Sequence, residues 1–327
     1  MNKELPINPT VTDVLKAYKF LHGKVRHTPT EYSPKLSEIA GAPIYIKWEN
    51  QQIRGSFKLR GALYKMNSLN DEEREKGVVT CSSGNHGQGV AIAANDLKIK
   101  TIVFVPNTCP EMKKEAIESL CGKWGRLEVC CGGYDFAEAY ARKYAEEHQM
   151  TYVSSFEDPF VLAGQGTAGV EIFLDEPDID FLVIPAGGGG LLNGIAIAAK
   201  ALNPEVEIWG VQSDTSNPWV VSWNDGIVKQ VEYGETLADG LSGGIPQSLL
   251  SLAKLRVAGI AEITEEDIKR AIAFAHNEHH QIIEGAGAVS LAAILSGKLN
   301  PQGRKTAVVI SGGNIDSDKL NKILASY

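Results

Sequence analysis

The sequence predicts an α/β protein: two domains with parallel-rich sheets flanked by helices. Three observations predict it. From residue 44 onward, short apolar runs alternate with stretches of helical periodicity. The apolar runs are nearly continuous rather than alternating, as in strands covered on both faces by helices. Three glycine-rich segments, SSGNHGQG (82–89), GGGG (187–190) and SGGN (311–314), each follow such a run. Ligands sit at that position in open α/β sheets, beyond the carboxyl ends of the strands.

Taken in order, the predicted strands are IYIKW (44–48), GVVTC (77–81), TIVFV (101–105), LEVC (127–130), TYVS (151–154), FLVIP (181–185), EIWGV (207–211) and TAVVIS (306–311). Between them fall helices at FKLRGALYKMNSL (57–69), QGVAIAANDL (88–97), EMKKEAIESL (111–120), FAEAYARKYAEEH (136–148) and LLNGIAIAAKAL (191–202). Residues 78–155 form a self-contained α/β unit, read as a small domain set within a larger one made from 1–77 and 156–327. In the helix at 57–69, Leu59, Leu63 and Met66 share one row and Phe57, Gly61 and Tyr64 the next. Ser56 is the expected N-cap. Lys58 then falls in the first turn, where the helix dipole opposes a cation by ~0.3–1 kcal/mol.

The chain has 327 residues, 43% of them hydrophobic, and a formal net charge of −8. That length supports a large core and about two domains. The acidic balance, with no basic stripe, argues against nucleic acid. No apolar run approaches the ~18 residues of a membrane span. MNKELPINPTVTDVL at the N-terminus lacks a signal-peptide core, so a cytoplasmic location is expected. The end at Tyr327, just past the final helix SDKLNKILAS, leads us to expect no appended regulatory domain. The five cysteines contain no CxxC pair and read as reduced thiols.

Gly187, Gly188, Gly189 and Gly190 offer unshielded amides at a helix start, which is a phosphate cradle. The spacing is not GxGxxG, because Leu192 and Asn193 stand where a third glycine belongs. The next strand ends at Gln212 rather than at a ribose-binding acid, although Asp214 is close by. No Gly-Lys-Ser/Thr is present, which excludes a P-loop. Lys58 supplies the other half of the reading. An ammonium opposed by a helix N-terminus and by partial burial is poised towards the free amine that Schiff-base chemistry needs. An imine-forming amine together with a phosphate site describes pyridoxal 5'-phosphate.

GSFKLRGA (55–62), SSGNHGQG (82–89), GGGGLLNG (187–194), EGAGAVSLAA (284–293) and SGGNID (311–316) also carry a family likeness. Together, and in order along the chain from RHTPTEYSPKLSEIAG (26–41) onward, the sequence resembles the threonine/serine dehydratase and serine racemase group. These are pyridoxal-phosphate enzymes of the tryptophan-synthase-β-like fold. The resemblance implies that Lys58 is the Schiff-base lysine and general base, and that Phe57 packs on the cofactor ring. It implies that Asn85 bonds the ring hydroxyl, that Gly187 to Gly190 with Leu191 hold the phosphate, and that Ser311 faces the pyridine nitrogen. Gly240 and Glu284 join the cofactor-binding set, Glu284 because it precedes the small-residue run GAGA. Ser82, Ser83, Gly84, Asn85 and His86 would receive the substrate carboxylate.

The implied reaction is β-elimination from L-threonine or L-serine to a 2-oxo acid and ammonia. Ser83 keeps a racemase reading open. In the resemblance, racemases carry serine there and dehydratases more often alanine, and a hydroxyl could serve the face of the α-carbon opposite Lys58. Against it, cation-dependent racemases have acidic residues where this chain has Gln212 and Pro218, so no metal is expected. A nucleotide-dependent oxidoreductase using the GGGG loop is the alternative from another class, and a non-catalytic binding protein on the same fold is a third. His276, His279 and His280 have metal-ligand spacing on a helix but read as a solvated face. Tyr134, Phe136, Tyr140 and Tyr144 read as core packing. The expected partners are a small amino-acid substrate and further copies of the chain, as a homodimer or homotetramer.

Overall fold

The computed structural model describes residues 7–327, so the first residues read for a leader lie outside it. Two sheets organise the chain. The larger has six strands in the order β1-β2-β10-β7-β8-β9. These are β1 (Thr30–Tyr32), β2 (Ile44–Trp48), β7 (Phe181–Pro185), β8 (Glu207–Ser213), β9 (Gly259–Ile263) and β10 (Thr306–Ile310). Only β1 runs antiparallel to its neighbour. The smaller sheet is parallel throughout, in the order β5-β4-β3-β6. Its strands are β3 (Val78–Cys81), β4 (Thr101–Pro106), β5 (Gly125–Cys130) and β6 (Thr151–Tyr152).

The central strands β2, β7 and β10 are buried almost throughout, matching their near-continuous apolar sequences. Helices cover both faces. On one side, the helix Pro159–Asp175 packs between Lys58–Asn67, Val11–Leu21 and Gly190–Leu202. It is enclosed on every side: each residue from Val161 to Phe173 is buried, the charged Glu171 included. On the other side, Gly285–Leu295 is likewise buried along its length and packs against Glu265–His279.

A closed charge cluster lies beneath the helix Lys58–Asn67. Arg60 reaches Glu49 with two bonds of 2.8 Å and Glu171 with two of 2.7 and 2.8 Å. Lys47 donates to Glu171 at 2.8 Å and to the Thr28 carbonyl at 2.6 Å. Lys47, Glu49 and Arg60 have no exposed surface, and Glu171 keeps 2%. The two cations thus balance two carboxylates, and fork-to-fork geometry satisfies the guanidinium where water cannot.

Several local expectations change. The helix begins at Lys58 with Phe57 as its N-cap, and Ser56 instead bridges to Gly312. Of the four aromatic residues read as core in the helix Tyr134–Glu147, only Tyr144 packs half-buried against the core. Tyr134, Phe136 and Tyr140 are exposed, and the buried row is Ala137, Ala141 and Ala145. Tyr140 and Tyr144 lean on Phe104 at 5.5 and 5.3 Å between ring centroids. His279 is not solvated either: its Nε2 lies 2.8 Å from the Ser33 hydroxyl and its ring meets Trp48. Among the described residues, no group of three or more His, Cys, Asp and Glu side chains could hold a metal. No described helix is long and apolar enough to cross a membrane. The five cysteines are unpaired, and only Cys131 is exposed.

Candidate active site

Contacts link the starts of four helices around one cleft, those of Lys58–Asn67, Asn85–Leu97, Gly190–Leu202 and Gly285–Leu295. Each presents unpaired amides and a positive dipole end, so the cleft favours an anionic ligand. The loop after β10 ties three of them together, those of Lys58–Asn67, Asn85–Leu97 and Gly285–Leu295. Phe57 donates its N–H to the Ser311 carbonyl at 3.2 Å, and Glu284 donates its N–H to the Gly312 carbonyl at 3.1 Å. Asn314 donates through Nδ2 to Asn85 Oδ1 at 2.7 Å and to the Arg54 carbonyl at 2.8 Å. Asn85 in turn donates to Glu284 Oε1 at 2.8 Å.

Lys58 sits at the first position of its helix and donates to the Ser155 carbonyl at 3.2 Å. Its Nζ is 5.1 Å from the centre of the Phe57 ring. Burial pulls the amine down to about 8, against a smaller upward pull from Glu284. Burial likewise pushes the Glu284 carboxyl up to about 8, with Asp239 adding to the effect. Both side chains keep some surface because they line the cleft.

The glycine loop lies next to the same segment. Phe156, which follows Ser155, packs over it so closely that a Cβ at Gly188 would be 2.3–2.6 Å from the ring. Gly189 has φ +96°, the left-handed conformation that favours glycine. Leu241 and the Gly240 carbonyl close the side at Gly187, at 3.2 and 3.4 Å from its Cβ position. Leu191, in the first turn of the following helix, is buried. Side chains are therefore excluded at Gly188 and Gly189, where backbone amides are offered, whereas Gly187 is only tightly flanked.

In the loop 82–86, Ser82 donates its N–H to the Phe104 carbonyl at 3.1 Å and Gly84 donates its N–H to Ser82 Oγ at 3.2 Å. Those two amides are engaged, whereas the amides of Ser83, Asn85 and His86 donate to no acceptor among the described residues. His86 is buried, with Nε2 3.1 Å from the Val153 carbonyl. A carbonyl can only accept, so Nε2 carries the proton and Nδ1 is a bare acceptor; it has no partner. Burial and the charge of Lys58 pull this imidazole down to about 3, so it is neutral. Ser311 is buried, its hydroxyl 3.3 Å from the Ala286 carbonyl.

The structure thus brings Phe57, Lys58, Asn85, Glu284 and Ser311 together, and places Gly187 to Gly190 beside them. Ser155, Phe156, Trp219 and Asn314 were missed. Asn314 lies inside the quoted SGGN and could have been found there; the other three carry no local signal.

A depressed lysine amine, a side-chain-free amide cradle and several helix dipoles in one cleft define a pyridoxal-phosphate enzyme. The chain belongs to the family of pyridoxal-phosphate dependent enzymes, whose model matches residues 21–313. It is 42% identical to an L-threonine ammonia-lyase of Thermotoga maritima, over 96% of this chain and 78% of that protein. It is 37% identical to the catabolic L-threonine dehydratase of Escherichia coli K12, over 98% and 97% of the two chains. The solved structure of maize serine racemase superposes with a TM-score of 0.91 at 28% identity, covering 97% of each chain.

Proposed function

We propose that the chain eliminates water from L-threonine and L-serine, yielding the 2-oxo acid and ammonia. The observation that supports this best is the Lys58 amine, drawn down to about 8 by burial at a helix start beside the glycine cradle. Near neutral pH far more of it is free base than of an ordinary lysine, whose value is ~10.4. The L-threonine lyases aligned over nearly the whole chain support the substrate class.

The pocket residues fit pyridoxal phosphate. On our reading Gly187 to Gly190 and Leu191 hold the phosphate, Phe57 covers the ring, and Gly240 closes the edge. Asn85 has one amide proton on Glu284 and a second free for the ring hydroxyl. Ser311 can exchange its long bond to Ala286 for the ring nitrogen. The bound cofactor supplies an electron sink that acidifies the α-carbon of an amino acid.

The amides of Ser83, Asn85 and His86 orient the substrate carboxylate at the positive end of a helix. Lys58 removes the α-proton as its free amine. The β-hydroxyl departs with a proton as water. Lys58 would again be the residue that holds the cofactor once the enamine is released, and the enamine takes up one water to give the 2-oxo acid and ammonia. Residues 78–155 act as the small domain in this reading, and the protein works in the cytoplasm as a homo-oligomer.

A racemase is the second reading, favoured by the Ser83 hydroxyl and the likeness to maize serine racemase. Gln212 weighs against it: it is a buried amide whose Oε1 accepts the Trp219 N–H at 2.9 Å. The deciding experiment follows 2-oxo acid formation and enantiomer composition together, with L-threonine and L-serine as substrates. Interconversion of the serine enantiomers faster than elimination overturns the lyase.

A further inference from the structure

Beneath the glycine cradle lies a tryptophan that the reaction does not use. Trp219 has no exposed surface. Its indole Nε1 donates to the Gly187 carbonyl at 2.5 Å, and its ring edge fills the space below Gly189, where a Cβ would be 2.7 Å from Cζ2. Its own backbone N–H donates to Gln212 Oε1 at 2.9 Å. Gln212 stands on β8, whose partner β7 runs directly into the cradle, with Pro185 paired to Val211. A second donor acts two residues on. Asn193 is buried and gives Nδ2 protons to the Gly189 carbonyl at 3.0 Å and the Leu249 carbonyl at 3.2 Å.

These bonds set the direction of the amides opposite. In a planar trans peptide the C=O of one residue and the N–H of the next point to opposite sides, and the described residues contain no cis bonds. Holding the Gly187 carbonyl inward turns the Gly188 N–H outward. Holding the Gly189 carbonyl inward does the same for the Gly190 N–H. A loop of four glycines has little conformational preference of its own, so the anchors must supply it.

We propose that Trp219 is a positioning residue for the cofactor phosphate, acting through the Gly187 carbonyl to aim the Gly188 amide. This rests on the reading that Gly187 to Gly190 hold that phosphate. Apoenzyme titrated separately with pyridoxal phosphate and with pyridoxal, which lacks the phosphate, tests it. The readout is the ratio of the two dissociation constants, which a merely structural loss leaves unchanged. Three proteins are compared with the parent: Trp219→Phe, a version with β-(3-benzothienyl)alanine at position 219, and Gly187→Asp. The benzothienyl ring keeps the fused bicyclic form and sets a larger, non-donating sulfur in place of the N–H, so it decides the matter if Trp219→Phe does not fold. Gly187→Asp sets a carboxylate in the cradle, with Leu241 and Gly240 needing to give only slightly.

The expected result is a preference for pyridoxal phosphate reduced at least tenfold by the benzothienyl residue and by Gly187→Asp. A reduction below threefold with the benzothienyl residue, while Gly187→Asp abolishes the preference, overturns the role of Trp219 and leaves the cradle in place. An unchanged preference in Gly187→Asp removes the phosphate from this loop and overturns both.

Discussion

Asn85 donates from Nδ2 to Glu284 Oε1 at 2.8 Å, and its carbonyl is already taken by Asn314, so the amide has one orientation. The bond joins two helix N-termini across the cleft. It also holds beside Lys58 a carboxyl that titrates at about 8 and whose charge raises the amine. Glu284→Gln should therefore move the Lys58 titration below its present value of about 8. The check is the rate at which apoenzyme recombines with pyridoxal phosphate, followed by visible absorbance from about pH 6 to 9.5. A midpoint that rises in the variant contradicts the sign.

Lys58→Ala should lose both the visible cofactor band and turnover, since Lys58 is the amine the cleft holds near neutrality. Absorbance of the purified variant and 2-oxo acid release from L-threonine are the measurements. Retention of both would place the cofactor on another lysine.

Ser83→Ala separates the two chemistries. If Lys58 alone works on the α-carbon, 2-oxo acid formation from L-serine stays within about tenfold of the parent, or ~1.4 kcal/mol. Reaction of D-serine should collapse if Ser83 is the group on the face of the α-carbon opposite Lys58. The reverse pattern, with L-threonine elimination lost and D-serine turnover kept, would exchange the two faces.

His86 should make the apoenzyme acid-sensitive. Its folded-state value of about 3 lies below the ordinary 6.5 of an unfolded histidine. Between those values the unfolded chain binds a proton that the folded chain does not, so stability falls as pH drops from 6.5 towards 3. His86→Gln keeps a donor for the Val153 carbonyl and cannot charge. From pH 6.5 to 4 the parent should lose at least ~1.4 kcal/mol more unfolding free energy than the variant, one pKa unit's worth. Denaturant titrations at the two pH values measure it, and parallel losses would refute it.

Much of this arrangement is legible locally, and the omissions share physical causes. The strands read at 44–48, 101–105, 181–185 and 207–211 all form, because doubly covered strands need continuous apolar sequence. β1 was not seen: its three residues, Thr30, Glu31 and Tyr32, are an edge with little burial. The helices Pro159–Asp175 and Gly285–Leu295 were missed because they are enclosed on every side and show no amphipathic stripe. The opposite error befell Tyr134, Phe136 and Tyr140, whose apolar character outweighed the alanine row that the helix buries. In the site, Lys58 and the glycines announce themselves through residue type and junction. Trp219 and Phe156 reach the cradle only through the folded chain, from 32 positions downstream of Gly187 in the case of Trp219.

The charge cluster around Arg60 has a consequence for how this sequence can drift. Removing one member of a buried ion pair costs about 3–5 kcal/mol, a large share of the ~5–15 kcal/mol that keeps a domain folded. Arg60 answers to both Glu49 and Glu171, and Glu171 also to Lys47. A lineage that changes one of the four passes through a poorly folded ancestor unless a compensating change is already in place. Positions 47, 49, 60 and 171 should therefore be inherited as a block, replaced together by apolar residues or kept together, while the exposed helix faces around them vary one residue at a time.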